Sequence, residues 1–118
     1  MIESEALERL KAHIVHQTAM LQRKSNDIAS GFVTDRFNPA LIGEIVAFDE
    51  SVQLMLDQVF DSLDRLLAKL LPSQETGDLC RAVIGIRKNL TEQLHTFEHL
   101  AVACGLTSAV EIGAPQAG

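Results

Sequence analysis

The sequence predicts an all-α protein built as an antiparallel bundle of three long helices. Apolar residues recur at spacings of three and four over three long stretches, and turn-forming residues separate these stretches. Composition points the same way, because the chain has five Phe and no Trp or Tyr, and strand-favouring aromatic residues are therefore scarce. At 118 residues the chain has the size of a single domain.

The first predicted helix covers residues 4–30. Its apolar positions fall on one helical stripe, which is the pattern of a helix with one buried face: Leu7, Leu10, Ile14, Leu21 and Ile28. Gly31 follows directly and predicts the end of this helix, since glycine readily adopts the left-handed conformation of a helix C-terminus.

The second predicted helix covers residues 38–71 and has the most regular pattern in the chain. Asn38 is a suitable N-cap, and Pro72 marks the end. Asp49 is the one charged residue within its apolar seam, and we expect it to set the register or the oligomeric state. A break near Asp49–Ser51 would instead give four helices. The seam consists of Ile42, Ile45, Asp49, Val52, Leu56, Val59, Leu63, Leu66 and Leu70.

The third predicted helix covers residues 77–104 and ends at Gly105. Residues 1–105 then form the bundle, and residues 106–118 form a short turn and a flexible C-terminal tail. Three helices of this length leave much surface uncovered, so we expect dimerisation to complete the bundle. The apolar stripe of this helix consists of Leu79, Val83, Ile86, Leu90, Leu94, Phe97, Ala101 and Cys104.

Charge and cysteine content restrict the partners and the compartment. The net charge is −6 and no block of Lys or Arg occurs, which argues against nucleic acid as a partner. No apolar run approaches the roughly 20 residues of a membrane span. Cys80 and Cys104 would lie about 36 Å apart on one continuous helix, too far for a disulfide. We therefore expect reduced thiols and a cytoplasmic protein.

Four histidines lie on the two outer helices: His13, His16, His95 and His99. Turns centred near residues 34–35 and 74 would place His16 and His95 in the same layer of the bundle. His16, His95 and His99 are therefore candidate ligands of a transition metal. Helical phase instead points these side chains away from the apolar stripes, which favours histidines on a solvated face.

Residues 95–105 read HTFEHLAVACG, a string that resembles the motif of histidine phosphotransfer domains. His95 and Gly105 match the family's spacing between the phosphate-accepting histidine and a closing glycine, and Phe97 matches in type. The family has lysine where this chain has Glu98 and glycine where it has His99. The resemblance implies that His95 is a phosphoacceptor.

The sequence contains no recognisable set of catalytic residues, such as a nucleophile beside its base or a phosphate-binding glycine loop. We therefore expect a non-catalytic module, regulatory or signalling in role, whose partner is another protein and which also forms a homodimer. No cofactor is expected, and the metal site and the phosphoacceptor histidine remain the alternatives. Long amphipathic helices suit such a module, because a helix can dock into a groove between two others.

Overall fold

The computed structural model describes residues 2–106 and consists of three α-helices in this range, without a strand. Helix α1 covers Ile2–Thr34, α2 covers Ala40–Leu67 and α3 covers Gln74–Ala103. The predicted all-α class is confirmed. Helix α2 runs without interruption through Asp49–Ser51, so the described residues form the three predicted helices and not the alternative of four. Most of the predicted C-terminal tail, residues 107–118, lies outside the described residues.

Helix α2 lies at the centre of the bundle and contributes most of the deepest core. The predicted apolar stripes of all three helices are buried or half-buried. Among the described side chains, the largest that are almost fully inaccessible to solvent are Ile45, Phe48, Val52, Val59, Val83 and Leu90. The first four belong to α2 and the last two to α3. No helix of the described part is both long enough and apolar enough to cross a membrane.

Three phenylalanines, one from each helix, meet near one end of the core. The ring of Phe97 on α3 stacks on Phe32 of α1, with the ring centres 6.3 Å apart. Its other neighbour is Phe48 of α2, edge-on at 6.0 Å. Aromatic pairs in such geometries contribute about 0.5–1.5 kcal/mol beyond the burial of their surface. This cluster therefore joins all three helices.

Gly31 does not end α1, so the prediction that it does so is wrong. The helix continues to Thr34 and thereby buries Phe32 against the core. A methyl group on Gly31 would lie 2.7 Å from a terminal carbon of Leu41, so the glycine allows α1 and α2 to approach closely. Packing therefore outweighs the roughly 1 kcal/mol by which glycine disfavours a helix interior.

The boundaries of α2 follow its two prolines. The Asn38 side chain accepts a hydrogen bond from the Ala40 N–H at 3.0 Å, and Pro39 already has helical dihedral angles. The helix ends at Leu67 rather than at the predicted residue 71. The ring of Pro72 disfavours helical geometry at the preceding residue and clashes with the carbonyl four residues earlier, which ends the helix before it.

Helix α3 is capped at both ends. Ser73 and Thr76 form a reciprocal capping box, so the helix begins at Gln74 rather than near the predicted residue 77. At the other end Gly105 has a φ of 73°, as expected of a glycine that ends a helix. The N–H groups of Gly105 and Leu106 donate to the carbonyls of Val102 and Ala101, at 3.0 and 2.9 Å. This pattern is a Schellman motif.

We expect Ser73→Ala to lower the free energy of unfolding by about 1 kcal/mol, because it removes the side-chain oxygen that caps α3. Urea denaturation monitored by circular dichroism measures this loss. Ser30→Ala is the control, since Ser30 is an exposed residue inside α1 where alanine is the better helix former. Equal effects of the two substitutions would contradict the capping role.

Polar contacts fix the register between α1 and α3. Ser25 is buried and donates its hydroxyl hydrogen bond to the side-chain oxygen of Gln93. The Gln93 amide nitrogen donates to Gln22 at 3.2 Å. Nearer the other end, Lys11 forms an ion pair with Glu75 at 2.6 Å. These contacts place Gln93 level with Ser25 and Glu75 level with Lys11.

Candidate functional site

The four histidines are exposed, as their helical phase predicts. His13 and His16 lie on α1, and His95 and His99 lie on α3. The sequence-based estimate that His16 and His95 share a layer is wrong. Because Gln93 lies beside Ser25, His95 is level with residues about two positions beyond Ser25 on α1, more than two helical turns from His16. The error came from both turns. The first lies later in the chain because α1 extends to Thr34, and the second lies earlier because α2 already ends at Leu67.

The metal-site hypothesis therefore needs more than one chain. Within residues 2–106, no group of three or more His, Cys, Asp or Glu side chains is arranged to hold a metal ion. A site containing His16, His95 and His99 would require at least one of them from a second copy. It stays a prediction about an assembly of chains. Cys80 and Cys104 are both free and half-buried.

The surroundings of His95 are acidic on one side. Glu98 is half-buried on α3 and lies close enough to Asp49 of α2 for the two carboxylates to interact. Burial raises the pKa of Glu98 above its ordinary value, and Asp49 raises that pKa further, whereas His95 and His99 lower it. A phosphoryl group on His95 would meet the negative charge of Glu98. The phosphoacceptor role of His95 stays a prediction, as does the register-setting role of Asp49.

We expect Glu98→Gln to raise the free energy of unfolding at about pH 7 and to have little effect below about pH 4. The raised pKa means that folding favours the protonated acid, so the folded state is disfavoured as pH rises above the ordinary value of 4.5. Glutamine keeps the shape and removes the charge. Urea denaturation at both pH values measures the difference, with Glu92→Gln on the same helix as an exposed control. A gain that does not change with pH would contradict this explanation.

A long groove follows the seam between α1 and α2. Its larger part has a volume of about 710 Å³ and lies between the first half of α1 and the second half of α2. A smaller depression of about 130 Å³ continues it toward the middle of both helices and shares Gln58 with it. Leu10 and Leu66 form part of the apolar floor of the larger part, and Met20 and Leu54 line the smaller one.

The polar rim of this groove is basic, in a chain whose net charge is −6. Arg9, Arg65 and Lys69 line the larger part together with His13, and Lys24 lines the smaller one. Of the residues that the structure describes, no Asp or Glu lines either part. Arg65 forms an ion pair with Asp61 at 2.8 Å just outside the groove, and Lys24 donates to Ser51 at 3.2 Å.

Sequence reasoning missed the groove because polar and charged residues alternate with the apolar ones along its walls. The apolar periodicity identifies the stripes that form the core, whereas the groove follows a second stripe beside each of them. The signal is nevertheless present as spacing, since twelve of the sixteen described lining residues alternate steps of four and three along their helix. They are Ala6, Leu10, His13, Gln17, Met20 and Lys24 on α1, and Ser51, Met55, Gln58, Ser62, Arg65 and Lys69 on α2.

Comparison with known proteins gave no match to a protein-family model, to a curated protein or to a solved structure.

Proposed function

We propose that this chain is a non-catalytic, regulatory interaction module that binds a helix of another polypeptide in the α1–α2 groove. The groove itself carries the proposal, because it is long, open and lined at the spacing of a helical seam. Two helices that present residues at alternating steps of three and four offer the surface on which a further helix packs.

The lining residues specify the chemistry of the bound helix. An apolar floor requires an apolar stripe on the partner, and the basic rim favours acidic residues beside that stripe. Leu54 is 60% exposed and Met20 40% exposed, so apolar surface in the groove is available to such a partner. The bound segment is therefore an acidic amphipathic helix. We also propose that the module forms a homodimer and acts in the cytoplasm, where its two free thiols stay reduced.

Site-specific photo-cross-linking in the native host tests the groove directly. A photoreactive amino acid at Gln58, which lines both parts of the groove, is expected to form a covalent adduct with a helical segment of a polypeptide. The same amino acid at Arg87, on the exposed side of α3, serves as the control. Mass spectrometry of the adduct identifies the cross-linked peptide and its charge.

The two positions give distinguishable results. An adduct from position 58 with an acidic helical peptide, weaker or missing from position 87, supports the proposal. Adducts from position 87 alone would overturn it, and so would the lack of any adduct from position 58. The size of the adduct also separates a second copy of the chain from a different protein.

A further inference from the structure

The exposed face of α2 is complementary to the groove between α1 and α2. What this implies about the helix bound in the groove rests on the function proposed above. We propose that the helix in the groove is α2 of a second copy, packed antiparallel about a two-fold axis near Leu54. The two α1–α2 hairpins then face each other as the halves of a four-helix bundle, and α3 covers each hairpin from outside.

Helix α2 has the chemistry that the groove favours. Leu54 is largely exposed and supplies the apolar contact at the centre of its outer face. Acidic residues flank it, with Glu50 one turn before it and Asp57 one turn after it, both exposed, while Asp61 forms its ion pair with Arg65 of the same chain. The chain therefore presents an acidic amphipathic helix next to its own basic groove.

The side chains along α2 also match in size when the helix is paired with itself in reverse. Arg65 lies eleven residues after Leu54 and Gly43 lies eleven residues before it, so they face each other across the two-fold axis. The space where Gly43 would carry a methyl group is open. Ala47 and Ala40 are small as well, and they lie on the same side of the helix. The first half of one α2 thus leaves room for the long Arg65 side chain of the other.

Charge decides between antiparallel and parallel packing. The basic residues Arg9, Arg65 and Lys69 lie with His13 at one end of the groove. At the other end of the groove, the lining stripes of α1 and α2 continue to exposed acidic residues. Asp27 of α1 lies seven residues after Met20, and Glu44 of α2 lies seven residues before Ser51.

Antiparallel packing brings each basic end onto an acidic end. Measured along α2, Arg65 lies about 16 Å and Glu44 about 15 Å from Leu54, so they meet at the same height. Parallel packing would place the two basic ends on each other, where like charges repel. Lys24 lies nearer the middle, beside Ser51.

The size of the face suits a stable dimer. The two parts of the groove are lined by sixteen residues, since the nine of one and the eight of the other share Gln58. The continuing stripes add Asp27, Ala40, Gly43, Glu44 and Ala47. Four of the lining residues, Leu10, Leu21, Met55 and Leu66, are already buried in the single chain, which leaves seventeen for the contact, just below the roughly 20–30 residues a side of a standard protein interface.

Sedimentation equilibrium of the purified full chain tests the inference. We expect the wild type to have twice the 12.9 kDa mass of one chain. Leu54→Glu places two like charges at the two-fold axis and is expected to weaken the dimer at least about thirtyfold. Val15→Glu is the matched control, because Val15 is 69% exposed on α1 and lines neither part of the groove. All variants are first shown by circular dichroism to keep their helices.

Charge reversal tests the register. Arg65→Glu and Glu44→Arg should each weaken the dimer about tenfold at low salt, and the double variant should return to within about threefold of the wild type. A dimer that resists Leu54→Glu, or a double variant weaker than either single one, would overturn the proposed interface. A monomeric wild type would overturn this interface and the proposed homodimer, whereas a cross-link from position 58 to a different protein would still support the binding of a partner helix in the groove.

Discussion

Phe48→Ala is expected to lower the free energy of unfolding by about 3–5 kcal/mol, the largest effect of any substitution considered for this protein. Phe48 is only 1% exposed and lies on the central helix. Alanine would remove the edge-on contact with Phe97 and leave a cavity where the three helices meet. Since a small domain is stable by only about 5–15 kcal/mol, this loss would bring the protein close to unfolding.

Urea denaturation monitored by circular dichroism measures the loss, and Phe37→Ala is the matched control. Phe37 is 63% exposed in the connection between α1 and α2, so the same truncation there should change the free energy of unfolding by no more than about 0.5 kcal/mol. Similar effects at the two positions would contradict the position of Phe48 in the core. Phe48→Leu should cost less than Phe48→Ala, because it leaves a smaller cavity.

Gln93→Ala should have the second largest effect, a loss of about 1–3 kcal/mol in the free energy of unfolding. Gln93 accepts the hydrogen bond of Ser25, whose side chain is 4% exposed and cannot turn to solvent instead. The substitution also removes the hydrogen bond to Gln22 across the same interface. Removing one partner leaves a buried polar group without its hydrogen bond, and that costs more than the hydrogen bond contributes in a complete pair.

A double-mutant cycle checks the cause of this loss. The double variant of Ser25→Ala and Gln93→Ala should lose less stability than the two single variants together, because both partners of the hydrogen bond are then absent. Gln53→Ala, on the exposed side of α2, is the control and should stay within about 0.5 kcal/mol of the wild type. Strictly additive losses at Ser25 and Gln93 would show that the hydrogen bond between α1 and α3 does not stabilise the fold.

The positions of the helices and of their buried faces follow directly from the sequence. The spacing of apolar residues is a local property, and it is sufficient to place Leu90, Val52 and Ile14 in the core. The ends of the helices are harder to predict from the sequence, because they depend on contacts with residues that are distant in the chain. Gly31 has the usual features of a helix stop, yet the burial of Phe32 and the close approach of Leu41 keep it inside α1.

Two helix boundaries change what can be inferred about the histidines. The later end of α1 at Thr34 and the earlier end of α2 at Leu67 move the two turns, and together they separate His16 from the layer of His95. The groove shows a different limit. The sequence pattern around its rim residues, such as Arg65 and Gln58, is that of an ordinary solvent-exposed helix face. Only the packing of α1 on α2 shows that they line one depression.

Oxidative footprinting of Met20 tests most directly whether a helix covers the α1–α2 groove. The Met20 side chain is 40% exposed in a single chain and lines the smaller part of the groove, and a covering helix would shield its sulfur from oxidation. The proposed function predicts slow oxidation of Met20 in the assembled protein and faster oxidation when Leu54→Glu opens the groove. Fast oxidation of Met20 at every protein concentration and in host extract, with no change on Leu54→Glu, would show that the groove stays open. That result would contradict the proposal that a helix binds in the α1–α2 groove.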